Sequence, residues 1–74
     1  MIWYAEIRLK SGNIVSISNL LSVNKKSQTD SSIAKIEDFK TFHLSPAQLL
    51  TFVGEKESVT LISNEIEYVK FFQD

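Results

Sequence analysis

Two apolar arms close to the C-terminus constrain this chain most. Ser58-Val59-Thr60-Leu61-Ile62 and Ile66-Glu67-Tyr68-Val69-Lys70-Phe71-Phe72 flank the polar link Ser63-Asn64-Glu65. Both arms are rich in β-branched and aromatic residues, and the link has hairpin length, so the pattern predicts two antiparallel strands joined as a hairpin. The second arm is apolar on both parities, with Ile66, Tyr68 and Phe72 on one face and Val69 and Phe71 on the other. A strand with one buried face alternates apolar with polar, so this arm is expected to have neighbours on both sides. Ile66, Tyr68, Val69, Phe71 and Phe72 therefore form the candidate interaction surface.

The N-terminus predicts a second hairpin. Trp3, Ala5, Ile7 and Leu9 alternate with Tyr4, Glu6, Arg8 and Lys10, the period of a half-buried strand. Gly12, within Lys10-Ser11-Gly12-Asn13, can take the positive φ of a tight turn. Ile14 to Ser18 then returns with Val15 and Ile17 on one face. A one-residue slip would expose Trp3 and Ile7, so the register is well specified.

The middle reads less regularly. Asn19 to Val23 fits either a helical turn or a continued strand. Asn24 to Ser32 contains no apolar residue and predicts a mobile loop, at about 24–32. Between Ile33 and Gly54 two patterns compete. Ile33, Ile36, Phe39 and Phe42 recur at a spacing of three, as on a helix, and Ser45-Pro46-Ala47-Gln48 has the form of a capping box with proline at the first helical position. Against this, Leu49-Leu50-Thr51-Phe52-Val53 has strand propensity and would pair with Ser58 to Ile62 in a C-terminal meander. A single turn at 46–49 running into a strand reconciles the two.

Length and composition bound the rest. The 74 residues make one domain, 1–74, whose core is small, and oligomerisation is a common way to complete such a core. A hydrophobic content of 43% with eight aromatic residues (five Phe, two Tyr, one Trp) is too high for a disordered chain. The chain has no cysteine, so neither disulfides nor a thiolate metal site can support it. The first residues lack the basic and long apolar regions of a signal peptide, and no apolar run is long enough to span a bilayer. The expectation is a cytoplasmic protein without a membrane partner.

Candidate chemistry is sparse. Asp38, His43 and Ser45 supply the residue types of a nucleophilic triad, but such triads draw their members from separate elements around an oxyanion hole. His43 is the only histidine, and Glu37 and Asp38 stand five and six residues before it, which misses a shared helix face. The glutamate pairs at 55 and 57 and at 65 and 67 lie in turns or on solvent faces, with no room for a sugar cleft. Only two glycines are present, Gly12 and Gly54, so no phosphate-cradling loop can be written. The expectation is a protein that is not an enzyme and uses no cofactor or metal.

Charge leaves a second possibility. The net charge is −1, yet Ile7 to Thr29 holds four basic residues and no acid. Single-strand binders set aromatics among basic residues on an exposed sheet face. The candidates for such a surface are Tyr4, Arg8, Lys10, Lys25, Lys26 and Tyr68, with Tyr4 and Tyr68 sharing a parity with charged neighbours.

Leu9-Lys10-Ser11-Gly12-Asn13-Ile14-Val15 and Val59-Thr60-Leu61-Ile62-Ser63-Asn64-Glu65-Ile66-Glu67-Tyr68-Val69 loosely resemble the two sequence motifs of Sm-like RNA-binding proteins. The resemblance implies a small curled β-sheet and contact with RNA. The chain departs from the pattern in lacking the aspartate and asparagine of that family's base-binding loop and a helix before Ile2. It is also similar to short proteins of unknown function from Gram-positive bacteria and their phages. Together these readings predict an α+β, mainly β, domain: a small antiparallel sheet curled into a roll or partly open SH3-like barrel, with one or two short helices in the middle. The functional expectation is a non-catalytic interaction or adaptor protein, acting as a homo-oligomer or with another protein. The alternative is an SH3-like or Sm-like single-stranded nucleic-acid-binding domain.

Overall fold

The computed structural model describes residues 1–27 and 32–74, and among these every regular element is a strand or a short 3-10 turn. The strands are β1 (Trp3–Leu9), β2 (Ile14–Ile17), β3 (Leu20–Ser27), β4 (Ile33–Ile36), β5 (Gln48–Gly54), β6 (Ser58–Ile62) and β7 (Ile66–Gln73). One 3-10 turn, Phe39–Thr41, precedes β5 and another, Ser63–Glu65, leads from β6 into β7. Two antiparallel sheets result, ordered β2-β1-β7 and β4-β3-β5-β6.

The N-terminal hairpin forms as its alternation predicts. Ala5 pairs with Ile17 and Ile7 with Val15, while Gly12 turns the chain at φ 98°. Leu9 N–H donates to the Asn13 carbonyl at 2.9 Å, closing the turn. A two-residue corner at Ser18-Asn19 then passes the chain into the second sheet, with Asn19 at φ 52°, a conformation asparagine tolerates better than most residues.

The second hairpin is not one. β6 pairs with β5, and β7 crosses to the other sheet to pair with β1, from Trp3 opposite Gln73 to Leu9 opposite Ile66. The polar link is the cause. Ser63 is buried and its Oγ accepts from Gln48 N–H at 3.0 Å, and Asn64 Oδ1 accepts from Ala47 N–H at 2.8 Å. These bonds tie the link to the start of β5, so the chain leaves the link in a new direction. The expected Leu49–Val53 pairing with Ser58–Ile62 is present, with Leu50 opposite Leu61.

The middle holds no α-helix among the described residues. Ile33 to Ile36 is a strand against β3, and the apolar spacing of three continues only through the Phe39–Thr41 turn, which Asp38 caps by accepting from Lys40 N–H. The capping box fails at Ala47, whose φ of 58° is left-handed and incompatible with a helix start. Strand β3 also runs on through Asn24, Lys25 and Lys26 to Ser27, where a loop was expected. Pairing on both sides, to β4 and β5, outweighs the weak β-propensity of these polar residues. Of the remainder of the expected loop, 28–31 lie outside the described residues and Ser32 leads directly into β4.

Both sheets contribute to one core: Ala5, Ile7, Ile17 and Ile66 from the first, Leu20, Val23, Leu50 and Phe52 from the second, and Phe39 from the 3-10 turn. Each fully buried aliphatic or aromatic side chain contributes about 1.5–3 kcal/mol. An aromatic cluster seals one end. Phe39 meets Trp3 edge-on at 5.3 Å and stacks on Phe71 at 5.2 Å, and Phe42 meets Phe71 edge-on at 5.1 Å.

Candidate interaction surface

Strand alternation places the two faces of β7. Phe71 and Val69 lie opposite the buried Ala5 and Ile7, so they point into the core. Tyr68 and Phe72 point to solvent and are 42% and 40% exposed. The register shifts between Arg8 and Leu9, where Glu67 is the extra residue, and this bulge turns Ile66 inward to 3% exposure. Ile66 therefore leaves the face it was expected to share with Tyr68 and Phe72. Of the five candidate interaction residues, only these two aromatics present their side chains; Val69 and Phe71 are half-buried.

β7 is an edge strand. Its one strand partner among the described residues is β1, which leaves the other side of its eight residues unpaired by any strand. The hydrogen-bond phase follows from two bonds. Asp74 N–H donates to the Ile2 carbonyl, and Leu9 N–H donates to Asn13. Even-numbered residues of β1 thus bond toward β7 and odd-numbered ones toward β2. By the same alternation, the N–H and C=O groups of Val69, Phe71 and Gln73 face the open edge.

The outward face of this sheet carries Tyr4, Glu6 and Arg8 from β1, Ile14 and Ser16 from β2, and Tyr68, Lys70 and Phe72 from β7. Tyr4 and Phe72 stack with centroids 5.2 Å apart and planes 14° from parallel. Lys70 Nζ lies 5.5 Å from the Phe72 ring centroid, a cation over an aromatic face. Arg8 Nε is 3.4 Å from Glu67 Oε1, close enough for an ion pair but not aligned as a hydrogen bond, so that Nε has no hydrogen-bond partner among the described residues. The pair is exposed and contributes little stability.

The structure brings Tyr4, Arg8 and Tyr68 onto this one face, Tyr68 directly opposite Arg8. The other basic candidates lie elsewhere. Lys10 borders an open hollow of about 380 Å³ with Leu44, Ser45, Pro46, Ser63 and Asn64. Lys25 and Lys26 belong to β3 and project from opposite faces of the other sheet. Lys25 lies over the Phe42 ring, 4.8 Å from its centroid, and donates to the His43 carbonyl. Burial there lowers its pKa below the ordinary 10.5. Lys26 sits in an exposed row with Ile33, Leu49 and Ile62 across β4, β3, β5 and β6.

Sequence reasoning did not anticipate that the cations of the aromatic face would each meet an acid. Glu6 opposes Lys70 and Glu67 pairs with Arg8, so its two cations meet two carboxylates. The parity of Glu6 with Tyr4 was visible in the sequence, but the β1–β7 pairing that assembles the face was not.

Among the described residues no three His, Cys, Asp or Glu side chains gather as a metal site, and no helix is long and apolar enough to cross a membrane. His43 is exposed, and the Asp38 carboxylate caps its own turn. A second hollow is bordered by Ser18, Asn19, Glu55, Lys56 and Glu57, two of which are joined by a bond donated from Asn19 Nδ2 to Glu55. No family model, curated protein or solved structure matches this chain.

Proposed function

We propose that this protein is a non-catalytic interaction module, working as a homo-oligomer or adaptor, that engages its partner through the free edge of β7 and the aromatic surface beside it. One observation carries the reading: among the described residues the longest edge strand has a side unpaired by any strand, with Tyr68 and Phe72 exposed beside it. Open edges with apolar side chains recruit strands from other chains, and main-chain bonding supplies the affinity. The core gives a second reason, since a chain of this size buries little surface alone. We read the architecture as a partly open SH3-like roll, in which the Ser63–Glu65 turn delivers the last strand back to the first.

Light scattering across a concentration series tests the oligomer. The wild-type chain is expected to exceed monomer mass in the micromolar range, and Tyr68→Ser/Phe72→Ser to shift that range upward. A strict monomer at every concentration rejects the homo-oligomer.

A second reading draws on the Tyr4–Phe72 stack with Arg8 and Lys70 beside it, a platform suited to single-stranded nucleic acid, and on the resemblance to Sm-like proteins. The carboxylates of Glu6 and Glu67 weaken it, because they cancel the positive field that phosphates need. It predicts that fluorescence anisotropy of a labelled oligouridylate rises at low salt and falls steeply as salt is added. No binding at low salt removes it.

A further inference from the structure

We infer that the partner of β7 is β7 of a second copy, paired antiparallel about a two-fold axis through Lys70, so that two three-stranded sheets become one of six strands. This rests on the proposal that the β7 edge is the interaction surface, and it specifies the occupant and the register.

Length favours β7 over the other edges. It has eight residues, against four for β2, four for β4 and five for β6. Symmetry then restricts the register. Residues opposite each other in a ladder point to the same face, and joining outer face to outer face requires opposed residues of equal parity. The two-fold axis must therefore pass through a residue.

Of the three central positions, Val69, Lys70 and Phe71, one fits. An axis at Val69 would set Phe71 against Glu67 and Phe72 against Ile66, drawing the Glu67 bulge into the ladder. An axis at Phe71 would leave a short ladder, with Val69 against Gln73 and Lys70 against Phe72. An axis at Lys70 uses the regular stretch from Tyr68 to Phe72 in full. Facing the core, Val69 meets Phe71 of the second copy, and the row Val15, Ile7, Val69 continues into Phe71, Ala5 and Ile17 of that copy, apolar throughout. Facing solvent, Tyr68 meets Phe72 of the second copy, whose ring is already stacked on Tyr4.

Charge and hydrogen bonding agree with this register. The opposed Lys70 side chains repel, but each faces Glu6 across its own β1–β7 ladder, so the row reads Glu6, Lys70, Lys70, Glu6 and is neutral. The groups left facing the open edge belong to Val69, Phe71 and Gln73. With the axis at Lys70, Val69 and Phe71 become hydrogen-bonded partners in both halves of the ladder. Lys70 then lies in a non-hydrogen-bonded pair, where Cα atoms approach to roughly 4.5 Å.

The absence of cysteine makes the test direct. Lys70→Cys places two thiols at a separation a disulfide accepts. It is expected to form a covalent dimer under mild oxidation, on the order of 100-fold faster at micromolar protein than Lys35→Cys on the distant β4. An equimolar mixture of Tyr68→Cys and Phe72→Cys is expected to give the mixed dimer by mass spectrometry. Tyr68→Cys alone is not expected to link, because its copies stand about 13 Å apart along the strands. Light scattering of the wild type separates the two levels of failure. A dimer whose Lys70→Cys variant links no faster than Lys35→Cys overturns this register and leaves the oligomer reading standing. A strict monomer overturns both.

Discussion

Phe71 lies flat against Phe39, ring centroids 5.2 Å apart and planes 11° from parallel, so the last strand is clamped to a 3-10 turn from the irregular middle of the chain. The next residue, Phe72, faces the opposite way and stacks on Tyr4. Two adjacent phenylalanines therefore do different work, one in stability and one at the surface.

Replacing each by alanine separates these roles. Phe71→Ala removes the contacts to Phe39 and Phe42 and is expected to cost about 2–3 kcal/mol, less than full core truncation because Phe71 is half-buried. Phe72→Ala is expected to cost less than about 1 kcal/mol, the value of one exposed aromatic pair. Urea denaturation of dilute protein measures both. Equal losses would contradict the assignment of faces.

At the corner between the sheets, Gly54 has no room for a side chain. A Cβ there would stand 2.9 Å from Ile17 Cγ2, 3.0 Å from the Glu57 carbonyl oxygen and 3.1 Å from that of Ser18. Two of these neighbours are backbone and cannot swing away. Gly54→Ala is expected to destabilise by about 1–3 kcal/mol in thermal or chemical unfolding. An unchanged midpoint would show that the corner is looser than described.

The Ser63–Glu65 turn is held by side-chain bonds. Ser63→Ala leaves Gln48 N–H without the acceptor it uses, in a buried setting, and is expected to cost about 1–3 kcal/mol. Asn64→Ala removes the exposed acceptor of Ala47 N–H and is expected to cost less, about 0.5–1.5 kcal/mol. Amide exchange at Gln48 and Ala47 in the two variants reports which bond was lost. Ala47→Gly is expected to offset part of either loss, since glycine takes the φ of 58° without strain.

Lys25 makes stability depend on alkaline pH. Its folded pKa is lowered by desolvation, so between that value and the ordinary 10.5 the unfolded chain binds more protons than the folded one. Stability contributed by this group therefore rises as pH increases through that window, and below it the desolvation penalty is constant. Lys25→Met removes the titration. The stability difference between wild type and variant, followed by urea melts toward pH 10.5, is expected to move in favour of the wild type. A difference independent of pH would show that contact with the Phe42 ring and the His43 carbonyl compensates the burial.

Local pattern was enough for β1, the Gly12 turn, β2 and the inward set Ala5, Ile7, Val15 and Ile17, because a period of two on one buried face admits one register. It was also enough for the strand character of 58–62 and 66–72, and for the opposite orientations of Phe71 and Phe72. What it did not contain was which strand lies beside which. Ser63-Asn64-Glu65 has the length of a hairpin link, and only its bonds to Gln48 and Ala47, 15 and 17 residues earlier, turn it into a crossing between sheets. The bulge at Glu67 that sinks Ile66 and the strand path of Asn24, Lys25 and Lys26 have the same origin. Each is decided by neighbours distant in the chain. The doubly apolar arm 66–72 was determined by sequence alone. Its inner face belongs to the core beneath β1, and its outer face and free edge exist as a surface only because the tertiary fold leaves β7 last in its sheet.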